Sequence, residues 1–202
     1  MKYLPFLLLL SWTTLVQASP ELKVGDILLQ PLDCWSCDLI EAEEETIYSH
    51  MGIVISTNPV LVADSRMKVE IQSLEKFNSI TEKGQNILVR RFHNEDIVNE
   101  LQSKSASFKA LFQNEFEGLS YDHKFLWNNF DESGNQTLYC SEMVAKLLQA
   151  FLGIDPIVKR MHFDKNPDQW ARYFHGDIPA GKWGNSPADF DRSDLFYDVG
   201  EL

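Results

Sequence analysis

The chain has 202 residues, 44% of them hydrophobic and 12% aromatic, which suits one domain with a full core and excludes a disordered or collagen-like chain. Its 18 Lys and Arg against 30 Asp and Glu give a formal net charge of -12. That excess of acid argues against nucleic acid as a partner, because phosphates need basic contacts, and against a bare anionic membrane surface. Three cysteines are too few for a disulfide scaffold.

The first segment reads as a targeting sequence. Lys2 precedes an apolar run over Leu4 to Leu10, and Val16-Gln17-Ala18 has the small-residue pattern of a cleavage site, so residues 1–18 are expected to be a secretory signal peptide. The run is too short to span a bilayer comfortably, and no later stretch is long and uncharged enough to do so. The mature chain, residues 19–202, is then a single periplasmic or secreted domain in a compartment where disulfides persist.

Strands come next. Val24 to Gln30, Ser49 to Ser56, Val60 to Ala63, Val69 to Ile71 and Asn86 to Phe92 are short β-rich runs, and Thr57-Asn58-Pro59 is a turn signal. Close spacing and short turns predict an antiparallel sheet. Between the first two strands lies an acidic, helix-compatible stretch, Asp33 to Glu45. Its Glu41 to Glu45 run reads as a solvated face, or as a steering element for a cationic substrate group.

Helices follow. Asn94 is the expected N-cap of a helix whose stripe is Ile97, Leu101, Phe108, Leu111, Phe112 and Phe116, ended by Gly118. A second helix over 141–151 carries Met143, Val144, Leu147, Leu148 and Phe151 on one face and stops at Gly153. From Asp155 onward, Pro, Gly, Asp and aromatic residues predict an irregular, wrapping C-terminal tail. Trp127, Trp170, Trp183, Phe163 and Phe190 read as core or cleft-wall aromatics.

Cys140 opens the second helix. Unpaired N–H groups and the helix dipole favour a thiolate there, and the same N–H groups can receive an oxyanion. A buried structural cysteine is the alternative reading. His50 stands at the start of a strand, where it can face a cleft while Ile53 and Ile55 pack inward. Its intrinsic pKa of about 6.5 suits proton exchange with a thiol, and a hydrogen-bonded structural histidine is the alternative. The other histidines have no comparable setting.

Cys34 and Cys37 form a CxxC. It reads as a local disulfide or as two loop-packing cysteines, as a thioredoxin-like redox pair, or as half of a zinc site. Flanking Asp33 and Asp38 oppose a thiolate, and two cysteines without a second ligand pair fall short of four ligands.

Four segments in order carry a resemblance: Gly25-Asp26-Ile27-Leu28, Ser49-His50-Met51-Gly52-Ile53, Gly118-Leu119-Ser120-Tyr121-Asp122 and Tyr139-Cys140-Ser141-Glu142. Together with Gly184-Asn185-Ser186-Pro187, they resemble the YiiX-like proteins of the permuted NlpC-type cysteine peptidases, over residues 22–190. The resemblance implies an α+β, circularly permuted papain-like fold, a small antiparallel sheet packed against helices. It implies Cys140 as nucleophile, His50 as general base, and Tyr121 beside the nucleophile as an aid to the oxyanion. The usual histidine-orienting Glu has no counterpart, since Val62 occupies its position. Asp64, two residues on, projects from the same strand face and is the candidate orienter, unless it merely opens a turn with Ser65.

The implied activity is a cysteine hydrolase that cleaves an amide or ester through an acyl-enzyme, without cofactor or metal. Its substrate is a peptide, a peptidoglycan stem peptide or a lipid-like acyl group. A non-catalytic binding module on the same fold, motivated by Val62, and a CxxC redox protein are the alternatives.

Overall fold

The computed structural model describes residues 19–202; the expected signal peptide lies outside the described residues. Six antiparallel strands form the main sheet: β1 (Ile27–Gln30), β2 (His50–Thr57), β3 (Val60–Ser65), β4 (Val69–Ser73), β5 (Leu88–Phe92) and β8 (Phe196–Glu201), in the order β4-β3-β2-β1-β5-β8. A two-stranded ribbon joins β6 (Lys159–Arg160) to β7 (Trp183–Gly184). The helices are α1 (Trp35–Glu44), α2 (Leu74–Asn78), α3 (Glu95–Ser103), α4 (Ser105–Glu115), α5 (Cys140–Leu152), α6 (Pro167–Tyr173) and α7 (Pro187–Asp191). Among the described residues, no helix is long and apolar enough to cross a membrane.

Strand alternation builds two cores. Ile27, Leu29, Met51, Ile53, Ile55 and Ala63 point to one face, where Phe108 and Phe112 of α4 and Met143, Val144 and Leu147 of α5 cover them. Leu28, Val54 and Val62 point to the other face, with Phe77 of α2 and Ile87. His50 and Asp64 share the parity of this second set, and Ile53 and Ile55 pack inward on the first, as their alternation predicts.

The sheet is buried over much of both faces, and one helical expectation changes. The stripe from Ile97 to Phe116 is not one helix. It breaks at Lys104 into α3 and α4, so that Val98 and Leu101 pack beside β5 while Phe108 and Phe112 reach β2. Asn94 does cap α3, its side chain accepting from the Asp96 N–H at 2.9 Å. Gly153 ends α5 in the left-handed region, at φ 68°.

The C-terminal segment, expected to be irregular, contains β6, α6, β7, α7 and the edge strand β8. Its aromatic residues hide the pattern. Phe190 and Phe196 enter the main core, whereas Phe163, Trp170 and Phe174 build a third, satellite cluster with Leu39, Phe125, Tyr139 and Met161. Trp183 is exposed under the Arg160 guanidinium, 4.1 Å from its ring centroid, and Trp127 sits partly buried beneath Lys146.

Candidate active site

The start of β2 and the end of β3 lie at the same end of the sheet, because the strands are antiparallel with Gly52 opposite Asp64. His50, the first residue of β2, is therefore a diagonal neighbour of Asp64 on one face. Its Nε2 lies 3.0 Å from Asp64 Oδ2, and both side chains are almost wholly buried. Asp64 Oδ1 is buried with no partner. The pairing leaves Nδ1 as the nitrogen for Cys140.

Ser65, next along β3, ties this strand end to the nucleophile segment. Its Oγ donates to the Leu138 carbonyl at 2.6 Å, two residues before Cys140. Leu138 N donates in turn to Ser120 O at 3.0 Å. Cys140 is the first residue of α5; Tyr139 is the N-cap but offers no side-chain hydrogen bond, so the first-turn N–H groups stay uncapped. Cys140 is the one free cysteine among the described residues, and it is buried.

Electrostatics couple the two side chains. Burial alone would disfavour a charged imidazole. The charge and hydrogen bond of Cys140, with the hydrogen bond and charge of Asp64, outweigh it and raise the His50 pKa from 6.5 to about 9. Tyr121 is pushed well above 10, first by burial and then by the charge of Cys140, so its hydroxyl keeps its proton and can donate. Asp122 shapes the loop that follows: its Oδ1 accepts from Lys124 N and Asn129 Nδ2, and its Oδ2 from Leu126 N, at 2.7–2.8 Å.

The Gly184-Asn185-Ser186-Pro187 stretch holds α5 from the other side. Asn185 N donates to the Tyr139 hydroxyl at 2.9 Å, Asn185 Nδ2 to the Ser141 and Ile157 carbonyls, and Ser141 Oγ to Asn185 O at 3.3 Å. A Cβ at Gly184 would stand 2.7 Å from Met161 Cγ and 3.1 Å from the Tyr139 hydroxyl, which accounts for glycine there.

Cys140, His50 and Tyr121 open onto one cavity of about 640 Å³. Cys34 and Cys37 line it too, bonded to each other as a disulfide, and the Cys34 sulfur accepts from Cys37 N at 3.1 Å to cap α1. The acidic run does not form a solvated face. Glu41 accepts from Ser49 Oγ at 2.8 Å, Glu43 from the backbone N–H groups of Asp164 and Lys165, and Glu44 from Lys159, while Glu45 pairs with Lys165. The partners of Glu43, Glu44 and Glu45 lie more than 100 residues away, which made those pairings invisible in the local sequence.

Sequence reasoning passed over several residues of this site. His123 and His162 line the cavity. Phe77, from a helix that was not expected, places its ring centroid 5.8 Å from that of His50. Gln30 lies directly opposite His50 in the β1–β2 register and donates to Phe77 O at 2.7 Å and to Thr81 Oγ1 at 2.8 Å. Only the strand register brings it to the site.

The fold has a solved counterpart. A crystal structure described as metalloprotein yiiX, from Escherichia coli O157:H7, superposes with a TM-score of 0.72 at 22% identity, over 90% of this chain and 98% of the other. Among the described residues, no group of three His, Cys, Asp or Glu side chains is arranged to hold a metal ion. No curated protein matches the chain in sequence. A family model, described as permuted papain-like amidase enzyme, YaeF/YiiX, C92 family, matches residues 21–199. The order of His50 before Cys140, the helix-borne cysteine and the antiparallel sheet agree with that match, and the chain belongs to this family of permuted papain-like amidases.

Proposed function

We propose that this chain hydrolyses an amide bond with Cys140 as nucleophile and His50 as the proton carrier. The observation that carries the reading is the line from Asp64 through His50 to the uncapped first turn of α5. The Cys140 thiolate adds to the substrate carbonyl, whose oxygen becomes anionic beside the first-turn N–H groups and the Tyr121 hydroxyl. His50, protonated at Nδ1, gives that proton to the leaving amine as the C–N bond breaks. Water then attacks the thioester, His50 takes its proton, and the carboxylic acid leaves while the thiolate–imidazolium pair returns. Asp64 accepts from Nε2–H throughout and keeps the ring oriented.

The binding-module alternative loses its motive, because Asp64 meets His50 where Val62 does not. For location, the Met1 to Ala18 sequence and the Cys34–Cys37 disulfide support export to the periplasm or beyond. The test is hydrolysis of peptide amides and p-nitroanilides by the purified chain, with Cys140→Ala beside it and mass spectrometry of the stalled enzyme. A thioester-sized adduct on the Cys140 peptide, with turnover abolished by Cys140→Ala, is the expected result. Turnover that persists in Cys140→Ala overturns the reading.

A further inference from the structure

We propose that a second cavity, sharing the wall of His123 and Tyr173 with the catalytic one, takes a singly charged anionic end of the substrate, a terminal carboxylate, while the scissile amide lies at Cys140. The inference rests on the hydrolase reading above and adds a subsite to it.

The second cavity has a volume of about 540 Å³, and His123 and Tyr173 line both it and the catalytic cavity. Its floor is apolar, with Phe174 and Pro179 buried and Leu126 and Ile178 half-buried. Around that floor stand four exposed basic side chains, His123, Lys124, His175 and Lys182, and Asp177 is the one carboxylate among the lining residues. Among the described residues, Lys68, Lys76, Lys104, Lys146, Lys159 and Lys165 each meet a carboxylate at ion-pair distance, whereas Lys124 and Lys182 meet none. Two ammonium groups against one carboxylate leave a charge of +1 with the imidazoles counted as neutral. This stands in a chain whose formal net charge is -12. One negative charge is the matching guest, and the apolar floor strengthens the field it meets.

The basic groups rise from fixed backbone. The Asp122 carboxylate accepts from the N–H groups of Lys124 and Leu126, both at 2.8 Å. Lys182 N donates to Pro179 O at 3.1 Å, and Lys182 O accepts from Met161 N at 2.9 Å. His175 follows α6 in the left-handed region, at φ 52°, where glycine is the default and a side chain is a cost. The last carbonyls of α6 are engaged in its own turn, Ala171 O by Gly176 N, Arg172 O by His175 N and Phe174 O by Asp177 N. The shared wall is packed onto the surroundings of the nucleophile. The Tyr121 ring meets His123 edge to face, centroids 4.9 Å apart, and Phe125 stacks on Tyr173 at 5.4 Å. An extended substrate crossing at His123 therefore holds its amide at Cys140 and its carboxylate among Lys124, Lys182 and His175.

The experiment uses a ladder of N-acetyl oligoalanines, each length made with a free C-terminal carboxylate and as the carboxamide. Once the peptide is long enough to reach the second cavity, the carboxylate is expected to exceed the carboxamide about tenfold in kcat/KM, the sum of two exposed charge contacts. Lys124→Ala and Lys182→Ala should each lower that preference about threefold, and the double variant should remove it. Lys83→Ala, an exposed lysine on the loop before β5, should keep it. The preference should shrink in about 1 M NaCl, where the screening length is about 3 Å. Equal rates at every length, a preference indifferent to salt, or one that the double variant retains overturns the inference.

Binding separates this inference from the dyad. Calorimetry on Cys140→Ala reads uptake of the same peptides with no chemistry required. Tighter binding of the carboxylate, lost when Lys124→Ala and Lys182→Ala are added, supports the subsite even where wild type cleaves neither peptide; the nucleophile reading then fails alone. Cleavage of both peptides by wild type at equal kcat/KM, with equal binding to Cys140→Ala, removes the subsite and leaves the dyad standing. No uptake of any carboxylate peptide by Cys140→Ala likewise overturns the inference.

Discussion

Asp64 reaches His50 diagonally across the β2–β3 pair, Oδ2 to Nε2 at 3.0 Å, in a position where both side chains are closed to water. A carboxylate so placed fixes the ring and leaves Nδ1 for the thiol. Asp64→Ala is expected to lower kcat by on the order of 10²- to 10⁴-fold, because it removes the acceptor and leaves a buried N–H unpaired. Asp64→Asn keeps an oxygen that can accept from Nε2–H but loses the charge, so it should fall between Ala and wild type. Equal rates for all three would show that Asp64 does not orient His50.

The same relationship sets a pH signature. With its pKa raised from 6.5 to about 9, His50 stays protonated beside Cys140 through neutral pH. Its contribution to stability is complete below 6.5 and is lost as pH rises through about 9. Alkylation of Cys140 by iodoacetamide, followed by peptide mass spectrometry, should remain fast at pH 6 and show an inflection near 9. His50→Ala should abolish both features, leaving the profile of an ordinary thiol, whose pKa is about 8.5. An unchanged profile in His50→Ala would dissolve the pair.

Gly52 accounts for how the imidazole is held from its other side. A Cβ there would stand 2.6 Å from Val62 Cγ1, 2.9 Å from Phe77 Cε2 and 3.0 Å from the Ala63 carbonyl. Phe77 is fully buried against His50, and Gln30 anchors its backbone from across the sheet. Gly52→Ala should therefore cost about 1–3 kcal/mol through overpacking, lowering Tm by several degrees for a domain of this size. It should also shift the alkylation profile, since the ring that moves is the one beside His50. Phe77→Leu, which lightens the packing without a clash, should move the profile with a smaller loss of Tm. A Tm loss in Gly52→Ala with an unchanged profile would make the glycine structural only.

The sheet, the N-cap at Asn94, the stop at Gly153 and the helix-start Cys140 were legible because each is a local pattern: alternation, a capping residue, a left-handed terminus, an amphipathic face. The candidate orienter was legible in part, since Asp64 shares a strand face with Val62, yet only the register with β2 decides which of them meets His50. Phe77, Gln30 and the partners of Glu41 to Glu45 were not legible, because their contacts cross between elements and leave no periodic trace. The C-terminal segment misled for a related reason. Aromatic and Pro-Gly composition looks irregular locally, whereas β8 is defined by its pairing with β5.

A second buried titration lies at the base of α5. Glu142 is fully buried in the first turn. Its Oε1 accepts from Asn128 N at 2.9 Å and lies 2.7 Å from Lys146 Nζ, while Oε2 has no partner. Burial raises its pKa from 4.5 to about 7, and the Lys146 charge and the hydrogen bonds only partly offset that rise. A carboxyl whose pKa is raised on folding binds its proton more tightly in the folded state, so its contribution falls as pH climbs from 4.5 to about 7. The full effect is on the order of 3 kcal/mol. Glu142→Gln keeps the volume and the acceptor for Asn128 N but removes the titration. Melting curves at pH 5 and pH 7.5 should show wild type losing several degrees across the interval and Glu142→Gln losing much less. Lys146, 5.0 Å from the centroid of the Trp127 ring, keeps a cation–π contact in the variant, which is why a folded protein is expected for the comparison. Parallel pH dependence in the two proteins would show that Glu142 is ionised in the folded chain well below neutral pH, and that its ion pair with Lys146 outweighs its burial.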